Sequence, residues 1–181
     1  MCKHREEIVT TATVSRAIAG EIEIFTRQTR AIHGVVRRNV EGLTQEDSLN
    51  QPQPGGNCLN WVVGHLLCIY DTVLPALGQE PVLGTSALKR YERGSAELHE
   101  AGEAIPLADL LVAWDESAKR VEAGLGTLTA DRMEELAPFS PSKNPKETVR
   151  SLLTTVFFHQ AYHTGQTGLL RRIAGKEGAI K

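Results

Sequence analysis

The chain carries four segments in which apolar residues recur every three or four positions, and this spacing constrains the fold more than any other feature. Such steps place apolar side chains on one face of a helix, whereas a half-buried strand alternates with a period of two. We therefore predict an all-α chain with long helices near residues 14–42, 57–77, 107–128 and 145–174. Four amphipathic helices of this length are typical of a four-helix bundle, here with long connections between helices 1 and 2, 2 and 3, and 3 and 4.

Glycine, proline and asparagine indicate where these helices end. The run NQPQPGG at residues 50–56 interrupts the helical pattern, Asn57 is a candidate N-cap and Gly78 is a candidate C-cap. The pair Asn144-Pro145 predicts the start of the fourth helix in the same way. The connection over residues 78–106 is long for a plain loop, so we predict a functional lid or a crossover that contains a short helix.

Length and composition limit the class of protein. The 181 residues suit a single domain, 1–181, in which we expect residues 1–15 to form a loosely ordered terminus. The formal net charge of -2 gives no electrostatic reason to expect nucleic acid or a membrane surface as a partner, and no apolar run approaches the ~20 residues that span a bilayer. The 3 cysteines are an odd, low number that favours a reducing compartment, so we expect a cytoplasmic protein.

The sequence HQAYHTGQ at residues 159–166 places two histidines in the apolar stripe of the fourth helix. His159 and His163 are four residues apart, so on a helix they lie nearly above one another, with a rise of about 6 Å. Two imidazoles at this spacing can bind one metal ion. The alternative is a pair of hydrogen-bonded core histidines, since a buried neutral ring needs a partner for each nitrogen. The pair alone leaves both interpretations open, and the metal hypothesis needs a third ligand.

His65 is the best candidate for that third ligand. It lies in WVVGHLLCIY, residues 61–70, the most apolar stretch of the chain, and Gly64 beside it would allow a helix or a ligand to approach closely. His33 has arginines one turn away on both sides, which indicates a solvated face, and His99 lies in a polar connection. We therefore predict that the three histidines of the second and fourth helices come together.

Three neutral nitrogens from two helices would form an open tripod. Such a site leaves the remaining coordination positions of a metal for water or substrate, as in catalytic rather than structural sites. Imidazole ligands suit zinc, nickel, iron or copper and argue against magnesium and calcium. Because no ligand is anionic, the ion would keep its full charge and would strongly acidify a bound water or thiol. Its affinity should fall below about pH 6, since free imidazole has a pKa near ~6.5.

Two motifs resemble the signatures of the DinB/YfiT-like metalloenzyme family. NCLNWVVGHL at residues 57–66 and HQAYHTGQ at residues 159–166 occur in the order that the family has. Trp114 in the third helix and LTADRMEEL at residues 128–136 are also similar. The resemblance extends over most of the chain, from about residue 20 to residue 174.

The resemblance implies both a site and a class of activity. It implies a four-helix bundle in which His65, His159 and His163 hold one divalent metal ion, and we expect zinc or nickel, with iron as a further candidate. Family members of known activity are thiol-dependent S-transferases that use bacillithiol or mycothiol, and a related group isomerises maleylpyruvate with mycothiol. Some relatives carry an acidic residue where this chain has Gln160, which removes one candidate base. On family grounds we also expect a homodimer.

Several other residues are candidates for the surroundings of the metal. Cys68 follows the first histidine by three residues and could approach the metal, although a buried free cysteine is more often a small core residue. Gln166 follows the last histidine by three residues and could hydrogen-bond its ring. Trp61 and Tyr162 are expected to pack beside the site or to line the mouth of a pocket. Gly165 would let another helix pack closely.

Two functions of different class are consistent with this site. One is a metal-dependent enzyme, an S-transferase in which the metal activates a low-molecular-weight thiol toward a small-molecule electrophile. A hydrolase that uses metal-activated water is a variant of it. The other is a non-catalytic metal-binding or stress-response protein, in which the metal ties the second helix to the fourth. An open coordination position favours the enzyme, and a fourth protein ligand such as Cys68 would favour the structural role.

Overall fold

Four long helices form the body of the protein in a computed structural model, which describes the backbone of residues 3–180 and the side chains of residues 16–180. The helices, in chain order, are α1 (Lys3–Val40), α2 (Gln45–Ser48), α3 (Leu59–Val73), α4 (Thr85–Leu88), α5 (Leu107–Gly126), α6 (Ala130–Glu134) and α7 (Val149–Ile173). The described backbone contains no strand, and a single isolated bridge pairs Leu136 with Thr148. The prediction of an all-α fold is confirmed. The side chains of residues 1–15, the predicted loosely ordered terminus, lie outside the described residues.

The long helices α1, α3, α5 and α7 surround one apolar core. Both α1 and α3 pack against α5 and α7, so the order around the core is α1, α5, α3, α7. The apolar stripes predicted from the sequence face inward. Their buried members include Phe25, Val36, Val63, Leu66, Tyr70, Leu110, Trp114, Val121, Leu152 and Val156. The ring of Tyr70 stacks on that of Trp114 with centroids 5.2 Å apart, which ties α3 to α5.

Two helix starts differ from the prediction. The helix α7 begins at Val149 rather than near residue 145, because Thr148 and Ser151 form a capping box that satisfies the first backbone N–H groups. The side chain of Asn144 instead accepts a hydrogen bond from the backbone N–H of Lys146 in the preceding turn. The helix α1 begins at Lys3 rather than near residue 14. Residues 3–19 contain no glycine or proline that would stop it.

The ends of α3 follow the sequence signals more closely. Its N-cap is Cys58, one residue after the predicted Asn57, and no side chain caps it. At its other end the helix passes into a 3-10 helix, Leu74–Leu77, at Pro75, which lacks the N–H that an α-helix would need there. Gly78 then terminates the segment with a φ of 69°, so the predicted glycine C-cap is confirmed.

The connection over residues 78–106 is ordered against α3 and contains α4 and two short 3-10 helices, Lys89–Tyr91 and Ala101–Glu103. Its start is held by Asp71 of α3, whose buried carboxylate accepts three backbone N–H groups at 2.8 Å. This confirms the prediction of a crossover that contains a short helix. The connection therefore packs along α3, beside the face of α3 that contacts α7.

The ring of Tyr91 fastens this connection to α3 at Gly64. The ring is fully buried, and its hydroxyl donates to the Oδ1 atom of Asn60 at 3.0 Å and accepts from the backbone N–H of Ile105 at 2.7 Å. A Cβ atom on Gly64 would lie 2.1 Å from the nearest ring carbon, so the close approach predicted for this glycine is present. Gly165 has open space around it instead, and the prediction of close helix packing there was wrong because that face of α7 is exposed.

None of the helices in the described chain has an apolar stretch of the length that a bilayer crossing requires.

Candidate metal centre

Three histidine rings meet where α3 packs against α7. His65 comes from α3, and His159 and His163 come from successive turns of α7. One nitrogen from each ring lies within 4.8 Å of the others, and the ring centroids are 4.4 to 5.0 Å apart. The Nε2 atoms of His65 and His159 are 3.1 Å apart. The structure thus brings together the three histidines that the sequence singled out.

A hydrogen bond between the two helices holds this meeting point in register. Gln160, fully buried, donates from its Nε2 atom to the backbone carbonyl of Leu66 at 3.0 Å. Each of these residues is next in sequence to a histidine of the cluster. Gln160 therefore serves to fix α7 against α3.

The hydrogen bonds of the rings determine which nitrogens can bind a ligand. The Nδ1 atom of His65 lies 2.8 Å from the backbone carbonyl of Tyr91, which can only accept, so Nδ1 carries the hydrogen and Nε2 keeps its lone pair. The Nδ1 atom of His163 lies 2.7 Å from the Oε1 atom of Gln166, with the same consequence. The hydrogen bond predicted for Gln166 is present.

His159 is the ring without such a partner. Its Nδ1 atom is buried and has no hydrogen-bond partner among the described residues, and its Nε2 atom faces that of His65. Because His65 presents a lone pair there, the contact requires a hydrogen from His159 or a cation shared by the two nitrogens. Within a cluster of neutral rings, a buried nitrogen without a partner and two nitrogens that face each other fit a cation-binding site.

The donor set also has suitable spacing for a metal ion. Bonds of about 2.0–2.1 Å to zinc place two nitrogens of a tetrahedral site roughly 3.3 Å apart. The separation of 3.1 Å between the first two Nε2 atoms is close to this distance, and the third ring needs a small adjustment within the 4.8 Å limit. The Nδ1 atoms of His65 and His163 are hydrogen-bonded to Tyr91 and Gln166, as is typical of imidazoles whose other nitrogen binds a metal. The residues present therefore fit a first-row transition ion.

The electrostatics of the cluster keep the rings neutral at pH 7. Burial lowers the pKa of His159 from 6.5 to about 4, with the neighbouring histidines adding to the effect. Burial likewise lowers the pKa of His65 and that of His163, partly offset by their hydrogen bonds to Tyr91 and Gln166. Neutral imidazole is the form that binds a metal, so the site is prepared for binding. The site should therefore keep its affinity for a metal ion down to a lower pH than imidazoles with an unshifted pKa would.

We expect the metal-free protein to lose stability as the pH falls from 6.5 toward about 4. In this window the histidines of the unfolded chain become protonated, whereas the folded state resists protonation of His159. The unfolded state therefore binds more protons, and the free energy of unfolding decreases as the pH falls. After allowance for solvent screening of the half-buried ring, the loss should be about 1–2 kcal/mol. Urea unfolding with a chelator at several pH values measures it. His159→Gln should flatten the dependence and His99→Gln should not, and identical slopes would contradict the assignment.

A cavity of about 900 Å³ opens onto the histidine cluster. Trp61, Tyr162 and Gln166, the candidates named for the surroundings of the site, line it. The indole of Trp61 stacks on the ring of His65 with centroids 4.7 Å apart. Cys68 neither belongs to the cluster nor lines the cavity, and burial raises the pKa of its thiol to about 11. Its side chain is therefore a protonated thiol that packs beside the core.

The sequence reasoning missed the residues of the 78–106 connection that complete the site. Tyr91 supplies the carbonyl that orients His65, and Ser95 accepts the indole N–H of Trp61 at 2.9 Å. Arg93 lines the cavity. The unusual length of this connection was the only sequence feature that pointed to a role for it. No spacing rule relates a loop residue to a helix that lies almost thirty residues away.

The two remaining histidines with described side chains lie elsewhere. His33 on α1 pairs with Asp115 of α5, with its Nε2 atom 2.8 Å from the carboxylate. His99 is exposed and lies 3.4 Å from Glu97. Both therefore serve as natural controls for experiments on the three-histidine cluster.

Fold and site together define an all-helical bundle whose second and fourth long helices bring together three histidines able to hold a metal ion. The profile of the DinB superfamily matches residues 28–167, and the chain belongs to this superfamily. The matched segment includes all three histidines.

A solved structure supports the same fold. The crystal structure of a conserved protein from Enterococcus faecalis is similar with a TM-score of 0.66 and 16% sequence identity. The match covers 85% of this chain and 97% of the other. No curated protein matches the sequence.

Proposed function

We propose that the protein is a divalent-metal-dependent enzyme, and specifically a thiol-dependent S-transferase. The observation that carries the proposal is the convergence of His65, His159 and His163 at the wall of the 900 Å³ cavity. In this proposal the three Nε2 atoms hold the metal, and the cavity holds a low-molecular-weight thiol together with its acceptor. Imidazole ligands favour zinc or nickel, with iron as a further candidate.

The composition of the site supports catalysis over a purely structural role. Structural zinc sites are closed by four protein ligands, whereas catalytic sites keep a position open. Within the described part of the chain, only the three histidines form such a cluster, and Cys68 lies outside it. The cavity gives small molecules access to the open side of the cluster.

The chain's own residues would hold and orient the reacting groups. The carbonyl of Tyr91 and the amide of Gln166 fix the rings of His65 and His163, so these ligands need little reorganisation. The stacked indole of Trp61 shields one side of the cluster from water. When bound, a divalent ion with three neutral ligands would lower the pKa of a thiol that joins it and so supply a thiolate nucleophile.

The proposed reaction is a nucleophilic substitution or addition at carbon. The thiol loses its proton to solvent, and the sulfur forms a bond to the carbon of a chlorinated acceptor while the carbon–chlorine bond breaks and chloride leaves. With an epoxide acceptor, the carbon–oxygen bond breaks and the oxygen takes up a proton from water. Neither reaction needs an oxidant or a reductant.

We expect the metal-loaded protein to consume a suitable thiol at least about tenfold faster than the metal-free protein. Full ionisation of a thiol with a pKa of about 8.5 raises its thiolate fraction at pH 7 roughly thirtyfold, and part of this gain is offset because a weaker base is a weaker nucleophile. The measurement follows the loss of free thiol for a panel of small thiols with a chlorinated or an epoxide acceptor.

The controls separate the candidate functions. His163→Ala should abolish the acceleration and His99→Ala should preserve it. Acceptor hydrolysis without thiol loss would replace the transferase by the hydrolase. A loaded protein that accelerates neither reaction would leave a non-catalytic metal-binding protein. The homodimer stays a prediction.

A further inference from the structure

Arg93 brings to the cavity a positive charge that no side chain within residues 16–180 neutralises. It lies in the 78–106 connection, two residues after the tyrosine whose carbonyl orients His65, and it lines the cavity. Its side chain is exposed, and among the described residues it makes neither a hydrogen bond nor an ion pair. Other arginines at the surface, such as Arg90 and Arg120, are held by carboxylates or backbone carbonyls. Arg93 is free to bind a ligand.

The described lining of the cavity contains no aspartate or glutamate. Arg93 lines the same cavity as His65, His159 and His163. A divalent ion at the cluster would add two further positive charges. A cavity with this charge and no acid favours an anionic occupant, although the whole chain has a net charge of -2.

Most of the remaining wall is apolar, and part of it is open to solvent. Phe158 and Tyr162 of α7 are 73% and 60% exposed, and both line the cavity together with Leu169 and Trp61. Large exposed apolar side chains that share one cavity are typical of a ligand-binding surface. The occupant should therefore have an apolar part beside its charge.

We propose that Arg93 is a specificity-determining residue that selects a thiol carrying a carboxylate, and this inference rests on the proposed function. A guanidinium forms paired hydrogen bonds to the two oxygens of a carboxylate. No lysine and no second arginine lies among the described lining residues, so the site matches one negative charge rather than a phosphate dianion. The sulfur of such a thiol reaches the cluster while its carboxylate binds Arg93.

The test compares two thiols of the same carbon chain length, one ending in a carboxylate and the other in an uncharged hydroxyl. Protein loaded with Co²⁺ is titrated with 3-mercaptopropionate and with 3-mercapto-1-propanol, and the sulfur-to-cobalt absorption band gives a dissociation constant for each. Each thiol releases its proton to the buffer. We expect the carboxylate thiol to bind about 5- to 10-fold more tightly, as for one charge-assisted pair at an exposed site.

Substitutions then assign this preference to Arg93. Arg93→Gln should reduce the ratio of the two constants to about one while leaving the neutral thiol unaffected. Arg38→Gln removes another exposed arginine that has no ion pair with any described side chain and does not line this cavity, and it should keep the ratio. An equal ratio in the wild type and Arg93→Gln overturns the proposal.

A metal-free experiment separates this inference from the proposed function. Metal-free protein is titrated with 3-phenylpropionate and with 3-phenyl-1-propanol, and binding is followed by NMR. A preference for the anion that Arg93→Gln removes supports carboxylate selection by Arg93, even if Co²⁺ fails to bind and the metal site falls. If Co²⁺ binds but neither anion is preferred, Arg93 is not a selectivity residue and the metal site stands.

Discussion

Replacing any one of His65, His159 and His163 by alanine is expected to weaken zinc binding by more than about 100-fold. Loss of an outer hydrogen-bond partner of a metal ligand already costs 10- to 100-fold, and loss of the ligand itself should exceed that. The three nitrogens lie within 4.8 Å of one another, so the two that remain would hold the ion alone. None of the described residues offers a substitute carboxylate or thiolate within the cluster.

Competition with a chromophoric zinc chelator measures these affinities directly. His33→Ala and His99→Ala are the matched controls, since one of these rings pairs with Asp115 and the other is exposed. Both controls should retain the affinity of the wild type. Equal zinc retention in all five variants would refute the three-histidine site, and circular dichroism of each variant shows whether the helices are intact.

Gly64→Ala is expected to destabilise the protein by about 2 kcal/mol or more, which for a chain of this size lowers the melting temperature by roughly 4–8 °C. The new Cβ would lie 2.1 Å from a ring carbon of Tyr91. That ring cannot move aside easily, because it is fully buried and its hydroxyl is held by Asn60 and Ile105. The clash outweighs the gain of roughly 1 kcal/mol that alanine brings to a helix interior.

Gly165→Ala is the matched control, since this glycine is also within a long helix but has no atom within 4 Å of its Cβ position. It should raise the melting temperature slightly, by the same helix propensity. Because the carbonyl of Tyr91 orients His65, Gly64→Ala should also weaken zinc binding, whereas Gly165→Ala should not. Thermal unfolding of both variants tests the pair, and equal melting temperatures would show that Tyr91 can yield.

Helix content and core composition could be read from the sequence because both depend on local spacing. The steps of three and four residues in each stripe are a property of one helix, and the stripes are buried as expected. The same spacing placed His159 and His163 on one face of α7. Helix ends were less predictable, because competing caps such as Asn144 and Thr148 lie a few residues apart and packing decides between them.

Contacts between distant segments were beyond this reasoning. Tyr91 packs on Gly64 and orients His65. Both contacts depend on the path of a 29-residue connection across α3, and no periodic pattern in the sequence describes that path. The same holds for Arg93, whose sequence neighbours suggest an ordinary exposed loop. Gly165 shows the opposite error, since a glycine in a helix was taken as a sign of close packing where the face is open.

The sequence by itself determined the helices, their inward faces and the identity of three chemically matched side chains, because these follow from residue type and helical period. Tertiary structure alone decided the distances between the rings of α3 and α7, the tautomer that the Tyr91 carbonyl sets on His65, the depth of burial that lowers the pKa of each histidine in the cluster, and the charge that Arg93 brings to the cavity. Those quantities arise where separate segments meet, and each depends on the packing of α3, α7 and the long connection against one another.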